Sequence, residues 1–187
     1  MERREAIKRT AALLGGAVFA PTLLGVINGC TPKGGSWSAS LFNPVQAAMT
    51  QALSETILPK TDTPGALDAG VPGFIETMVA EFYSGQQREL FLNGLDSFAE
   101  KCIHDTGSSF TELSPEEKLR YTSAINREAV RSEHREGPPF FLMFKELVLI
   151  GFFTSEEGAT QVLRYLPVPG YYEGCVPFKE IGRAWAI

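Results

Sequence analysis

The chain has 187 residues, with 17 basic and 22 acidic side chains, a net charge of −5 at pH 7 and 44% apolar residues. The acidic surplus argues against nucleic acid as a partner, because affinity for phosphate backbones rests on lysine and arginine displacing counterions. The apolar content is ample for one core, and domains usually run to about 100–150 residues, which excludes a large multidomain assembly.

The chain opens with Glu2-Arg3-Arg4-Glu5-Ala6-Ile7-Lys8, close to the twin-arginine export pattern, with Arg3, Arg4 and Lys8 as its signal residues. Residues 11–29 carry no charge, are rich in glycine and alanine, and are interrupted by Pro21. A basic start, a modest apolar run and small residues before a cut are the order of a signal peptide. The other reading, a spanning helix, needs about 18 or more apolar residues. The run ends at Val26-Ile27-Asn28-Gly29-Cys30, which resembles the lipobox of bacterial lipoproteins, with Asn28 as an unusual occupant. A thioether-linked diacylglyceryl group on Cys30 and an acyl chain on its freed amine would give stable anchoring, where one chain is marginal. The expected organisation is a signal peptide at 1–29, a tether at 30–43 that is rich in glycine and serine, and a helical domain at 44–187. The expected location is the periplasm, with the chain membrane-anchored through lipid on Cys30. Without residues 1–29 the chain keeps 13 basic and 20 acidic residues, a net charge of −7.

Along the mature chain, Val45, Ala48, Met49, Ala52, Leu53 and Ile57 recur at three- and four-residue spacing, which predicts a helix that Pro59 stops. A turn-rich loop covers residues 60–70. A helix then begins at Val71-Pro72, where proline suits the first turn, with Phe74, Ile75, Met78, Val79 and Phe82 as its buried stripe. After a break at Gly85, Leu90, Phe91, Leu95, Phe98, Ala99 and Cys102 share one helix face. Ser114-Pro115-Glu116-Glu117 is a capping-box start for a helix to about Ser132. Residues 140–153 are apolar on nearly all sides, the mark of a central helix or one covered by a partner. Thr154 is placed to cap a short helix from Ser155. Beyond Leu166, Pro167, Pro169, Gly170, Gly174 and Pro177 exclude long helices. The expected fold is all-α, a single domain of about five to six helices with an irregular, aromatic-bearing tail.

Catalytic chemistry is sparse in this pattern. His104 and His134 stand in charged surroundings without a second ligand at metal spacing, so no metal and no catalytic residue are expected. Covalent-haem, hydrolase-elbow and dinucleotide motifs are absent from the sequence. Asp62 and Asp68 are able in principle to do acid–base work, but aspartates in such loops more often bond their own backbone. Cys102 and Cys175, 73 residues apart, either pair with each other, stay as buried thiols, or bridge to a partner subunit.

The stretch Ile57-Leu58-Pro59-Lys60-Thr61-Asp62-Thr63-Pro64-Gly65-Ala66-Leu67-Asp68-Ala69-Gly70-Val71-Pro72 is similar to the signature of the gluconate 2-dehydrogenase subunit 3 family. Further likeness lies in Gly151-Phe152-Phe153-Thr154-Ser155-Glu156, in Pro167-Val168-Pro169-Gly170-Tyr171 with Gly174-Cys175-Val176-Pro177, and in Trp185. The resemblance implies a non-catalytic small subunit. Its large partner would be an FAD-dependent dehydrogenase of the glucose-methanol-choline type acting on a sugar or alcohol. Electrons would then pass to a cytochrome c subunit carrying haem c, or to another acceptor. No cofactor would be bound by this chain itself. The twin-arginine leader would export both folded proteins together. Candidate contacts with that partner are Pro59, Asp62, Pro64, Gly65, Asp68 and Pro72 in the loop, the helix at 140–153, and Pro169, Gly170 and Tyr171 in the tail. The other reading is a free-standing exported lipoprotein that binds a ligand or a protein.

Overall fold

The computed structural model describes residues 37–132, 137–168, 170, 171 and 173–186. The expected export signal at Arg3, Arg4 and Lys8 and the lipid-attachment Cys30 lie outside the described residues. The rest is a single all-α domain, and among the described residues the only β pairing is an isolated bridge between Arg164 and Trp185. No described helix is long and apolar enough to cross a membrane.

Helix α1 spans Pro44–Ile57 and starts on a capping box. Asn43 Oδ1 accepts from the amides of Val45 and Gln46, while the Asn43 amide donates to Gln46 Oε1. Three otherwise unpaired backbone donors are satisfied in this way. The helix ends at Leu58, whose N–H still reaches Ser54 O; Pro59 has no N–H to continue with. Its buried face differs from the expected one. Gln46, Met49, Thr50, Leu53 and Ser54 are buried, while Val45 and Ala48 are exposed. The rotation has a physical cause in Gln46, which turns inward so that its Nε2 donates to both Asp96 carboxylate oxygens, at 3.0 and 3.1 Å.

Helix α2, Val71–Thr77, begins after Gly70 at φ 66° and runs straight into a π-helical turn at Met78–Phe82. The wider turn displaces the expected stripe. Ile75 and Val79 are fully buried, but Phe82 is 68% exposed. Arg88 closes this turn by donating to the carbonyls of Val79 and Ala80. Helix α3, Gly85–Thr106, is capped by Ser84 and Gln87 in a second reciprocal box. Phe91, Leu95, Phe98 and Cys102 form its buried seam, and Leu90, expected inside, points out.

Helix α4, Pro115–Arg131, carries the Ser114–Glu117 box that the sequence predicts. Helix α5, Phe140–Phe153, packs against each of α1, α2, α3 and α4, so the most apolar segment is indeed the central one. Two glycines let its neighbours approach. The Phe74 ring of α2 sits against Gly151, where a Cβ would lie 2.5 Å from it, and Phe140 sits equally close to Gly94 of α3. Phe91 is the hub of the aromatic core, stacked against Phe42 and Phe144 and edge-on to Phe140 at 5.3 Å. Such pairs contribute roughly 0.5–1.5 kcal/mol each beyond their area burial.

Thr154 does not cap the next turn. Its hydroxyl bonds back to Ile150 O at the end of α5, and Ser155 Oγ accepts the Gly158 amide instead. A π-helical turn at Gly158–Val162 follows. A short α6, Phe178–Ile181, has no buried residue.

Candidate partner-binding surfaces

Three segments hold the features that the sequence singles out. The first is the loop between α1 and α2. Its backbone folds onto itself through Ala66 N to Leu58 O at 2.8 Å, Val71 N to Ala66 O at 3.0 Å and Thr61 N to Thr63 O at 3.0 Å. Asp68 locks it. One carboxylate oxygen accepts the Gly65 amide and the other binds Lys60 Nζ, both at 3.0 Å. The Gly65 N–H, with the Lys60 ammonium second, holds the Asp68 carboxyl below its ordinary range. Gly65 is required because a Cβ there would stand 2.6 Å from Lys60 N. The outer face of the loop, with Lys60, Thr61, Asp62, Thr63, Pro64 and Asp68, meets Glu157 and Gln161 of the π-helical turn around an open polar cleft of about 370 Å³.

The structure therefore divides the loop residues proposed for a partner. Pro59, Asp62 and Asp68 are exposed and Pro64 is half-buried, but Gly65 and Pro72 are buried within the domain. These last two are enclosed by the chain's own packing. Asp68 works on its own backbone, as loop aspartates commonly do.

The second segment is residues 37–42, expected to belong to the tether. They are docked instead. The Glu76 carboxylate, 6% exposed on α2, accepts from Trp37 Nε1 at 2.8 Å and from the amides of Ser40, Leu41 and Phe42. Burial works to raise this carboxyl, but the bonds from Leu41, Phe42, Trp37 and Ser40 outweigh it and hold it below the ordinary range. Phe42 is buried beside Phe91, and the Trp37 ring lies against Gly73. Glu76 escapes a reading of the sequence by function. Its signal is a charged residue on a helix face otherwise made of Pro72, Ile75 and Val79.

The third segment is the chain after the π-helical turn. Arg164 N donates to Ala184 O at 2.8 Å, and Ala186 N returns to Arg164 O at 3.0 Å. The Arg164 guanidinium lies 4.4 Å from the centroid of the Trp185 ring and also reaches Ile181 O. Arg183 bonds to Gln161 O at 2.7 Å. Within this loop Tyr171 is 82% exposed and Gly170 adopts φ 80°, while Pro169 lies outside the described residues.

The cysteine pairing is not present. Cys102 is a free thiol sealed in the α3 seam, its Sγ 3.8 Å from Ser108 O, and Cys175 is a free thiol exposed on the tail. Burial pushes the Cys102 thiol up. His104 is exposed at the end of α3, and His134 lies outside the described residues. Among the described residues no group of three or more His, Cys, Asp or Glu is placed to hold a metal.

The family model described as gluconate 2-dehydrogenase subunit 3 matches residues 44–170. That span includes the locked loop, helices α1 to α5 and the first part of the tail. No curated protein and no solved structure matches the chain.

Proposed function

From the premise that this chain belongs to the gluconate 2-dehydrogenase subunit 3 family, and is thus a subunit of a dehydrogenase complex, we propose the following role. It is the non-catalytic small subunit of a periplasmic, membrane-tethered FAD-dependent complex of the glucose-methanol-choline type. It covers part of the flavoprotein, stabilises it and carries it out of the cytoplasm. The flavoprotein oxidises a sugar or alcohol, and its electrons leave to a cytochrome c subunit or another acceptor. The observation that carries this reading is the family match over 127 residues, from 44 to 170.

Two features support the details. The adjacent Arg3 and Arg4 with Lys8 suit a route that moves folded proteins, as a flavoprotein loaded in the cytoplasm requires. Cys30 after small residues suits lipid anchoring. A partner that binds only the folded flavoprotein stabilises it by mass action.

The test is genetic and biochemical. Deleting this chain should leave the flavoprotein in the cytoplasm or degraded. A double Arg3→Lys, Arg4→Lys variant should trap both proteins inside. Cys30→Ala should release an exported complex from the membrane. Normal export of the flavoprotein in the deletion strain refutes the carrier role.

A further inference from the structure

We propose that α2 and α3 carry a separable peptide-binding slot, built by Gly73, Glu76 and Phe91, whose ligand is the chain's own segment 37–42, bound in cis. The class of ligand is an extended peptide with two aromatic anchors and three successive backbone amides. The slot goes beyond the subunit role above and stands whether or not that role holds.

Its contacts form one continuous site. Glu76 Oε1 accepts the amides of Ser40, Leu41 and Phe42, and Oε2 accepts Trp37 Nε1 at 2.8 Å. Successive N–H groups that converge on one point make a concavity for an anion, and the buried Glu76 carboxylate fills it. Gly73, three residues earlier on α2, leaves room for the indole, since a Cβ there would lie 3.3 Å from Trp37 Cδ1. Phe91 of α3 takes the other anchor. Its ring stacks on Phe42 at 6.4 Å, and Phe42 meets Trp37 edge-on at 6.2 Å.

The segment has the pattern of a bound peptide. Ser38 and Ser40 are exposed, whereas Trp37, Ala39 and Leu41 pack against the core and Phe42 is buried in it. Such alternation marks an extended chain lying on a surface. The anchoring bonds come from backbone amides and one indole, so the slot reads two rings and a run of N–H groups. Proline is excluded at positions 40–42 because it has no N–H to donate.

Separability has its own mark. The family match starts at residue 44, so Gly73, Glu76 and Phe91 lie inside it and segment 37–42 lies outside. The amides of residues 40–42 bond to a side chain on another element, so the segment can leave without breaking a helix. Its covalent link to α1 gives it an effective concentration on the order of millimolar. The slot of the wild-type chain is therefore closed to the same peptide offered in trans.

The experiment uses the full chain carrying Trp37→Ala and Phe42→Ala, with an acetylated and amidated peptide of residues 37–42 as the probe. Calorimetric titration should show saturable binding to this variant, about tenfold or more tighter than to the wild type, whose own segment competes. The peptide should raise the thermal midpoint of the variant and leave that of the wild type unchanged. A peptide with Leu41→Pro, or a chain that also carries Glu76→Gln, should bind about tenfold or more weakly, because a hydrogen bond to a charged group is lost. If loss of the Phe42 ring unfolds the chain, the peptide should restore its circular dichroism, and Trp37→Ala alone serves for the titration. Equal binding by wild type and variant, equal binding of the proline peptide, no binding to a folded variant, or unfolding that the peptide does not reverse overturns the slot.

Discussion

Glu76 receives the indole N–H of Trp37 at 2.8 Å across 39 residues of sequence, and the same carboxylate gathers the amides of Ser40, Leu41 and Phe42. One buried side chain thus fastens the segment before α1 to α2.

Glu76→Gln should destabilise the domain by about 2–4 kcal/mol. The amide replaces a charged acceptor, where each hydrogen bond contributes about 1.5–3 kcal/mol, and its NH₂ group faces donors. Urea unfolding checks this, and in a Trp185→Phe background the emission of Trp37, the other of the two tryptophans, should shift red. A midpoint within error of wild type would falsify the anchoring role of Glu76.

The same carboxylate predicts a pH dependence. Its folded pKa is lowered from an ordinary value of 4.5, so the unfolded chain takes up its proton first as pH falls. The stability from Glu76 is therefore fully present above about pH 4.5 and is lost as pH drops through the lower folded value. Urea midpoints measured from pH 7 to pH 3 should fall in that window, and the fall should be shallower in Glu76→Gln. Parallel curves for the two proteins would assign the acid sensitivity elsewhere.

Gly65→Ala should lower stability by about 1–3 kcal/mol, because its methyl would meet the Lys60 backbone at 2.6 Å and the loop would have to open. Gly85→Ala is the contrasting case. Nothing lies within 4 Å of that Cβ, so reducing the freedom of the unfolded chain should stabilise by about 0.4–1 kcal/mol. Thermal denaturation of the pair checks both signs.

The thiols should differ in reactivity. Exposed Cys175 should be alkylated at once in the native protein, and Cys102, buried and with its thiol pushed up by burial, only after unfolding. Labelling with and without denaturant, read by intact mass, decides this. Two unreactive cysteines that become reactive only after reduction would restore the pairing, one of the three readings open from the sequence.

Some boundaries of the long helices were legible in the residues because they depend on partners three or four positions apart: Ser114 with Glu117 completes a reciprocal cap within one turn, and Pro59 stops α1 by lacking an N–H. The caps of Asn43 with Gln46 and of Ser84 with Gln87 are just as local but emerged only in the structure. The centrality of α5 was likewise visible, since a helix apolar all round must be covered on all sides. The loop signature, together with the stretches at 151–156 and 167–177, led to the family. What the sequence alone did not decide is which apolar residues face inward and which polar ones join them. Val45, Phe82 and Leu90 point out while Gln46, Thr50, Ser54 and Glu76 point in. Burial depends on what another element presents opposite. Asp96 draws in Gln46, a π-helical turn swings out Phe82, and the amides of residues 40–42 make a buried carboxylate favourable at Glu76. The Arg164–Trp185 contact is of the same kind, joining residues 21 positions apart that no local pattern pairs.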